Sequence, residues 1–264
     1  MEINRNNVFE LINKCNVKPD KDYGQNYLVE PTICENIVSF LGDEKGSILE
    51  IGPGLGSLTH YLRKDDLTLC DIDSRMIAFL KPIYGDKVHY VLDDIRNVDV
   101  SKFDYIIGNL PYNITTELVT YLLLNADNAK KMILMCQLEA FSRFFDTQGE
   151  NYGPVSVLLH LLGDSKKLLT VKAGSFTPVP KCNSVVFSFM RNPVTDKATI
   201  ISVYKMSKTL FLNRRKTIYN NLKNYISDVD KINNVLKELN IEPTTRPEQI
   251  SPTQFLNMYQ LINK

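Results

Sequence analysis

Between residues 47 and 137, five short apolar runs alternate with amphipathic stretches. No other feature of the chain restricts its fold as much. SILEIG (47–52), LTLCDID (67–73), KVHYVLDD (87–94), FDYIIGN (103–109) and KMILMCQ (131–137) have the length and apolar density of buried strands. Helical spacing of apolar residues appears in PTICENIVSFL (31–41), SLTHYLRK (57–64), SRMIAFLKPI (74–83) and TELVTYLLLN (116–125). Strands that alternate with helices build a parallel sheet covered on both faces. Beyond about residue 150, VSVLLHLL, LLTVKAG and SVVFSFM read as the far strands of the same sheet and their connections. RNPVTDK (191–197) is polar and carries a proline, which suits a linker. After it the pattern is helical throughout, in ATIISVYKMSKTLFL, RRKTIYNNLKNYI, VDKINNVLKELN and SPTQFLNMYQLIN, the last with Ser251 as its N-cap. The expected architecture is α/β: a Rossmann-like sheet with helices on both faces over 1–190, then a small all-helical domain over 191–264.

Charge bears on partners only through its distribution. The net charge is +1, yet residues 191–264 carry 12 Lys and Arg against 6 Asp and Glu, while 1–190 carry 19 against 24. A basic tail on a slightly acidic body can hold a polyanion through the tail, and a solvated helical face explains the same count. The five cysteines, at 15, 34, 70, 136 and 182, are odd in number and form no CxxC pair. They are expected to be free thiols in a reducing cytoplasm, with neither a disulfide frame nor a metal site. The segment MEINRNNVFELINK is mixed and charged, so no secretory leader is expected there. No apolar run approaches the roughly 18 residues of a membrane span.

EIGPGLGSLT (50–59) joins the first strand to its helix, with glycines at 52, 54 and 56. Glycines there let the backbone turn sharply and approach a ligand. A dinucleotide, a nucleoside cofactor and a plain tight corner all fit this turn. The second strand ends at Asp71, placed to accept from ribose hydroxyls, which does not yet choose between the nucleotide ligands. The third ends at Asp93 and Asp94. An acid there can accept from an exocyclic amine, with Ile95 against a ring face, which suits the adenine of S-adenosylmethionine.

The fourth strand runs into GNLPYNIT (108–115). Turn chemistry explains the Asn and the Pro of this corner but not a large aromatic, Tyr112. An adenine amine is a poor nucleophile, because its lone pair is delocalised into the ring. The side-chain oxygen of Asn109 and the carbonyl of Leu110, presented by the turn that Pro111 fixes, can hold its two N–H groups and orient the nitrogen without a strong base. Tyr112 would then stack on a base drawn out of its helix, an interaction worth about 1–3 kcal/mol.

GQNYL (24–28), EIGPGLGSLT, GNLPYNIT, NYGPVSV (151–157), FTPVPKCNSVV (176–186), FLNRRKTIYNNL (211–222) and RPEQIS (246–251) together resemble the small-subunit ribosomal RNA adenine dimethyltransferases, the KsgA type. Relatives of that type include the Erm enzymes, which act on large-subunit RNA. The resemblance spans nearly the whole chain, and FxxRRKTIxNxL favours the KsgA type. It implies a class I methyltransferase fold, S-adenosylmethionine as cofactor, and direct in-line methyl transfer to adenine N6. The implied substrate is ribosomal RNA within an assembling small subunit, with two methyls placed on each of two adjacent adenosines near its 3′ end. A cytoplasmic monomer is expected. For the cofactor, the resemblance implies Gln25, Asn26, Leu28, Glu50, Gly52, Gly54, Asp71, Ile72, Asp94, Ile95 and Asn109. For the target base it implies Asn109, Leu110, Pro111 and Tyr112, with Phe176 on the base's other face. Arg214, Arg215 and Lys216 would grip RNA phosphates.

Four positions depart from the family pattern. Asp71 stands where Glu is usual, Tyr27 where Phe is usual, Leu138 where Lys is common, and Asn183 where Asp is usual. Three rival readings stay open on the sequence alone. One is an Erm-type enzyme, another a non-catalytic RNA-binding or assembly factor on the same fold. The last is a nicotinamide dehydrogenase, for which NLPY and the basic tail would have no use.

Overall fold

The structure, a computed structural model, describes residues 2–15, 26–42 and 45–264. The chain divides into two compact units. One comprises Met1–Ala140 with Lys166–Arg191, the other Phe141–Ser165 with Asn192–Lys264. The expected division at 190/191 therefore differs in one respect: the segment from Phe141 to Ser165 belongs with the C-terminal helices.

The strands are β1 (Tyr27–Leu28), β2 (Ile48–Ile51), β3 (Leu67–Asp71), β4 (His89–Leu92), β5 (Tyr105–Asn109), β6 (Lys131–Gln137), β7 (Gly163–Val171), β8 (Phe176–Thr177) and β9 (Ser184–Arg191). Among the described residues, seven of them form one sheet in the order β4-β3-β2-β5-β6-β9-β7, and β1 pairs with β8. β2 to β6 run parallel, as the alternation of strand and helix requires, but β9 runs antiparallel to β6, with Met132 opposite Phe189 and Gln137 opposite Ser184. The sheet is thus mixed, with helices on both sides.

All four residues of β2 are buried, as a strand between two parallel neighbours must be. Gly108 permits its close approach to β5. A Cβ at that position would sit 2.7 Å from the Ile51 carbonyl oxygen. From β2 the chain builds outward through β3 and β4, then returns to lay β5 on the other flank of β2. This reversal creates a crevice at the carboxyl ends of β2 and β5, where ligands bind in sheets of this kind.

The helices are α1 (Val8–Lys14), α2 (Pro31–Ser39), α3 (Ser74–Tyr84), α4 (Thr115–Asn125), α5 (Leu138–Phe145), α6 (Pro154–Leu162), α7 (Lys197–Phe211), α8 (Ile218–Leu222), α9 (Val229–Glu238) and α10 (Pro252–Ile262). α1 has no counterpart among the expected elements. Its Val8, Leu11 and Ile12 pack with Tyr27, Leu55 and Met76, so it helps to cover the glycine turn.

Three expected elements differ. VSVLLHLL is the helix α6, not a strand. It is apolar on nearly every side, so periodicity carries no signal, and Pro154 opens it as a first-turn proline. Residues 57–64 form no regular helix but turns over 57–61 and a bend at Leu62, and the Lys64 ammonium donates to the Thr59 and Leu62 carbonyls. The Arg214–Lys216 segment lies in a turn, and α8 begins only after Thr217, whose side chain accepts from the Asn220 N–H.

In the second unit α10 packs on α6, α7 and α9. Its N-terminus carries the expected cap at Ser251, completed by Gln254 as a reciprocal capping box. Among the described residues no helix is long and apolar enough to cross a membrane. All five cysteines are free.

Candidate active site

The crevice holds a cleft of about 280 Å³, lined from the glycine turn, the ends of β3 and β4, the NLPYN loop and the β1 segment. The turn after β2 has Gly52 at φ 64° and Gly54 at φ 54°, both in the left-handed region. At Gly54 a side chain would also meet Tyr27, since an added Cβ would lie 3.1 Å from its Cε1. Tyr27, the first family departure, is buried and its hydroxyl points toward Met76 Sδ at 3.9 Å.

Four carboxylates line the cleft, Glu50, Asp71, Asp73 and Asp94, against one guanidinium, Arg96. Asp71 accepts from the Asp73 N–H at 2.9 Å and from the Gly54 N–H at 3.3 Å. Burial pushes its carboxyl up to about 6, against the pull of these two backbone bonds. The shorter Asp is thus drawn onto the turn it serves. Glu50 is 1% exposed and accepts from Thr59 Oγ1 at 2.6 Å, and burial pushes it up to about 7. Asp94 is different. The Arg96 guanidinium holds its carboxyl below the usual range. Asp93 faces the turn, accepting from the Asp94 N–H and from Asn97 Nδ2.

Ile95 does not reach the cleft. Asp94 caps a single 3₁₀ turn over Ile95–Asn97, and that turn directs Ile95 into the core at 6% exposure. Apolar surface at this end comes from Ile72, which lines the cleft and is 54% exposed. Leu28 is buried beside the cleft, and its carbonyl accepts from Ser57 Oγ at 2.7 Å. Gln25 lies outside the described residues.

At the other end stands Asn109. Its Nδ2 donates to the Asn26 carbonyl at 3.1 Å. A carbonyl can only accept, so this bond sets the orientation of the amide. Its Oδ1 is buried and has no partner among the described residues. A buried acceptor left unmet is rare and calls for an explanation. The loop around it is pinned. The Leu110 N–H donates to the Met135 carbonyl at 3.0 Å, and Thr115 Oγ1 donates to the Pro111 carbonyl at 2.8 Å. Tyr112 lines the cleft, its hydroxyl hydrogen-bonded to Ser184 Oγ at 2.8 Å. Phe176 is not available as the second stacking face. It is 1% exposed, paired with Leu28 across β8 and β1, and packed in the main core.

Motif reading missed Arg96, Asp73, Ser57 and Ser184. Ser57, Asp73 and Ser184 had a visible signal, since they sit inside the quoted EIGPGLGSLT, LTLCDID and FTPVPKCNSVV; Arg96 had none. Of the remaining departures, Asn183 keeps the acceptor an Asp would supply, since its Oδ1 accepts from the Ala173 N–H at 3.0 Å. Leu138 is exposed at the end of β6. In the second unit, Arg214 donates to the Gly149 carbonyl at 2.5 Å and lies 3.7 Å from Glu248, while Arg215 and Lys216 are exposed.

The residues present fit S-adenosylmethionine. It carries positive charge at sulfur and at its amine, which the Asp71 carboxylate attracts, since among the described residues it has no cation beside it while Asp73 and Asp94 are paired with Arg75 and Arg96. The fold and the cleft are those expected of a class I methyltransferase that uses S-adenosylmethionine.

The family model for ribosomal RNA adenine dimethylase matches residues 16–264. The chain is 34% identical to the ribosomal RNA small subunit methyltransferase A of Mesoplasma florum, over 92% of this chain and 98% of that one. It is 34% identical to the protein of the same name from Malacoplasma penetrans, over 96% and 95%. Among solved structures, a dimethyladenosine transferase from Plasmodium falciparum superposes with a TM-score of 0.76 at 24% identity, covering 89% of this chain and 97% of that one. The 23S rRNA methyltransferase ErmE superposes with a TM-score of 0.71 at 21% identity, covering 90% and 100%. At these identities the structural likeness is one of fold. The chain belongs to the ribosomal RNA adenine dimethylase family.

Proposed function

We propose that this enzyme methylates adenine N6 of small-subunit ribosomal RNA, placing two methyls on each of two adjacent adenosines near the 3′ end during subunit assembly in the cytoplasm. The observation that carries the reading is the unmet, buried Oδ1 of Asn109 beside Tyr112 in the cleft. Relatives 34% identical over nearly the whole chain bear the name of small-subunit methyltransferases, which supports the substrate.

S-adenosylmethionine, when bound, supplies an electrophilic methyl group. The chain's own residues do the rest. Asp71 and Asp94 act as acceptors toward the nucleoside part of the cofactor, and the glycine turn gives it room. Asn109 Oδ1 accepts one N–H of the target amine and the Leu110 carbonyl a second, which turns the nitrogen lone pair out of conjugation. The Asn109 amide is already oriented by Asn26. Tyr112, fixed by Ser184, offers its ring to the base. After one methylation a single N–H remains, so Asn109 contributes less to the second transfer than to the first.

The test is Asn109→Ala, assayed separately for cofactor binding and for single-turnover transfer into unmethylated small subunits. The first transfer should fall about 10²-fold or more, with cofactor affinity changing far less. Unchanged rates for both transfers would remove this role for Asn109.

A further inference from the structure

Arg96 is the one basic side chain among the residues lining the cleft, and no motif pointed to it. It follows Asp94 by two positions and holds that carboxylate from several directions. Its backbone N–H donates to Oδ1 at 2.9 Å, Nε to Oδ1 at 2.9 Å and to Oδ2 at 3.1 Å, and Nη2 to Oδ2 at 2.5 Å. The remaining arm, Nη1, donates to Glu117 Oε2 at 3.0 Å. Glu117 lies in the first turn of α4, the helix that comes after the NLPYN loop. An ionised carboxylate offers about four acceptor directions. Arg96 takes most of them, so the capacity left on Asp94 is narrow in direction. The arms also differ in setting. The Asp94 side chain is 20% exposed and that of Glu117 65% exposed, so the fork on Asp94 is the better shielded contact.

We infer that Arg96 is a positioning residue: its fork fixes the Asp94 carboxylate that receives the adenine end of S-adenosylmethionine, and its remaining arm ties that carboxylate to the helix behind the substrate loop. The inference rests on the methyltransferase reading above. A carboxylate on a short exposed turn would otherwise have to be ordered when the cofactor binds, and that cost appears in affinity. A lysine ammonium is a point charge that cannot reproduce the planar fork.

The experiment is calorimetric titration of the full chain with S-adenosylmethionine and, separately, with S-adenosylhomocysteine, in wild type, Arg96→Met, Arg96→Lys and Asp94→Asn, with thermal unfolding as a check on folding. Arg96→Met should weaken both ligands about three- to tenfold, and Arg96→Lys less. In transfer assays the KM for cofactor should rise while kcat at saturation changes less than about twofold. Glu117→Gln, which removes only the exposed arm, should give a smaller loss than Arg96→Met. In an Asp94→Asn background Arg96→Met should cost no further affinity, because its effect runs through Asp94. Equal affinity in Arg96→Met overturns the inference. Tighter binding also overturns it and makes Arg96 a block on Asp94. A full loss persisting in the Asp94→Asn background overturns it in favour of direct contact. A wild type that binds neither ligand overturns the methyltransferase reading itself, a result distinct from the others.

Discussion

Tyr112 is held through its hydroxyl by a serine with no exposed surface, so the aim of its ring depends on Ser184. Replacing Ser184 by Ala should lower kcat/KM for RNA several-fold, leave cofactor affinity unchanged, and cost about 0.5–1.5 kcal/mol of stability. Single-turnover transfer and thermal unfolding check the two halves. Asp71 carries a pH signature. Its carboxyl is raised from 3.8 to about 6 because burial has no cation to offset it. With the acceptor role proposed for the ionised Asp71, cofactor affinity should fall as pH drops through about 6, while Asp71→Asn should bind more weakly at neutral pH and lose this dependence. The sign for stability is opposite. A pKa raised in the fold contributes stability that is fully present below 3.8 and lost as pH rises through about 6, so Asp71's own contribution to the unliganded protein grows on acidification. At this scale the motif residues were readable because each sits at a strand end with a donor or acceptor to offer. The burial of Phe176 was not legible, because a two-residue strand pairs it with Leu28, a pairing between segments far apart in the chain that local pattern does not reveal.

Gly108 makes the packing of β2 on β5 a testable matter. Its added Cβ would press on the Ile51 backbone oxygen at 2.7 Å, in the strand from which the sheet is built. Gly108→Ala should therefore destabilise the fold by about 1–3 kcal/mol, visible as a lowered denaturation midpoint. The five parallel strands were legible, since each is a bounded apolar run and helical spacing separates most of them. α6 was not, because a run buried on nearly all sides has no period to read. Nor was the series of turns over 57–61, whose Thr59 carbonyl is met, with that of Leu62, by the Lys64 side chain, a contact that apolar spacing does not reveal. Nor was the burial of Ile95, which follows from the 3₁₀ turn that the Asp94 cap starts.

Over the whole chain, the proposed hold on RNA rests on the excess of base in residues 191–264. Within it the roles divide. Arg214 is engaged with Gly149 and Glu248, while Arg215 and Lys216 are exposed. The double variant Arg215→Ala/Lys216→Ala should weaken RNA binding, reduce the salt slope of log K by about 2, and leave thermal stability unchanged. Arg214→Ala should chiefly loosen the Gly149 loop. The placement of Phe141–Ser165 with the helical unit was not legible, because α6 joins α7 and α10 through contacts distant in sequence. Methyl incorporation from labelled S-adenosylmethionine should be measured side by side into unmethylated small subunits and protein-free large-subunit RNA. N6,N6-dimethyladenosine is expected in the small subunits alone. Label confined to large-subunit RNA, or no label in either from a protein that binds the cofactor, would contradict this.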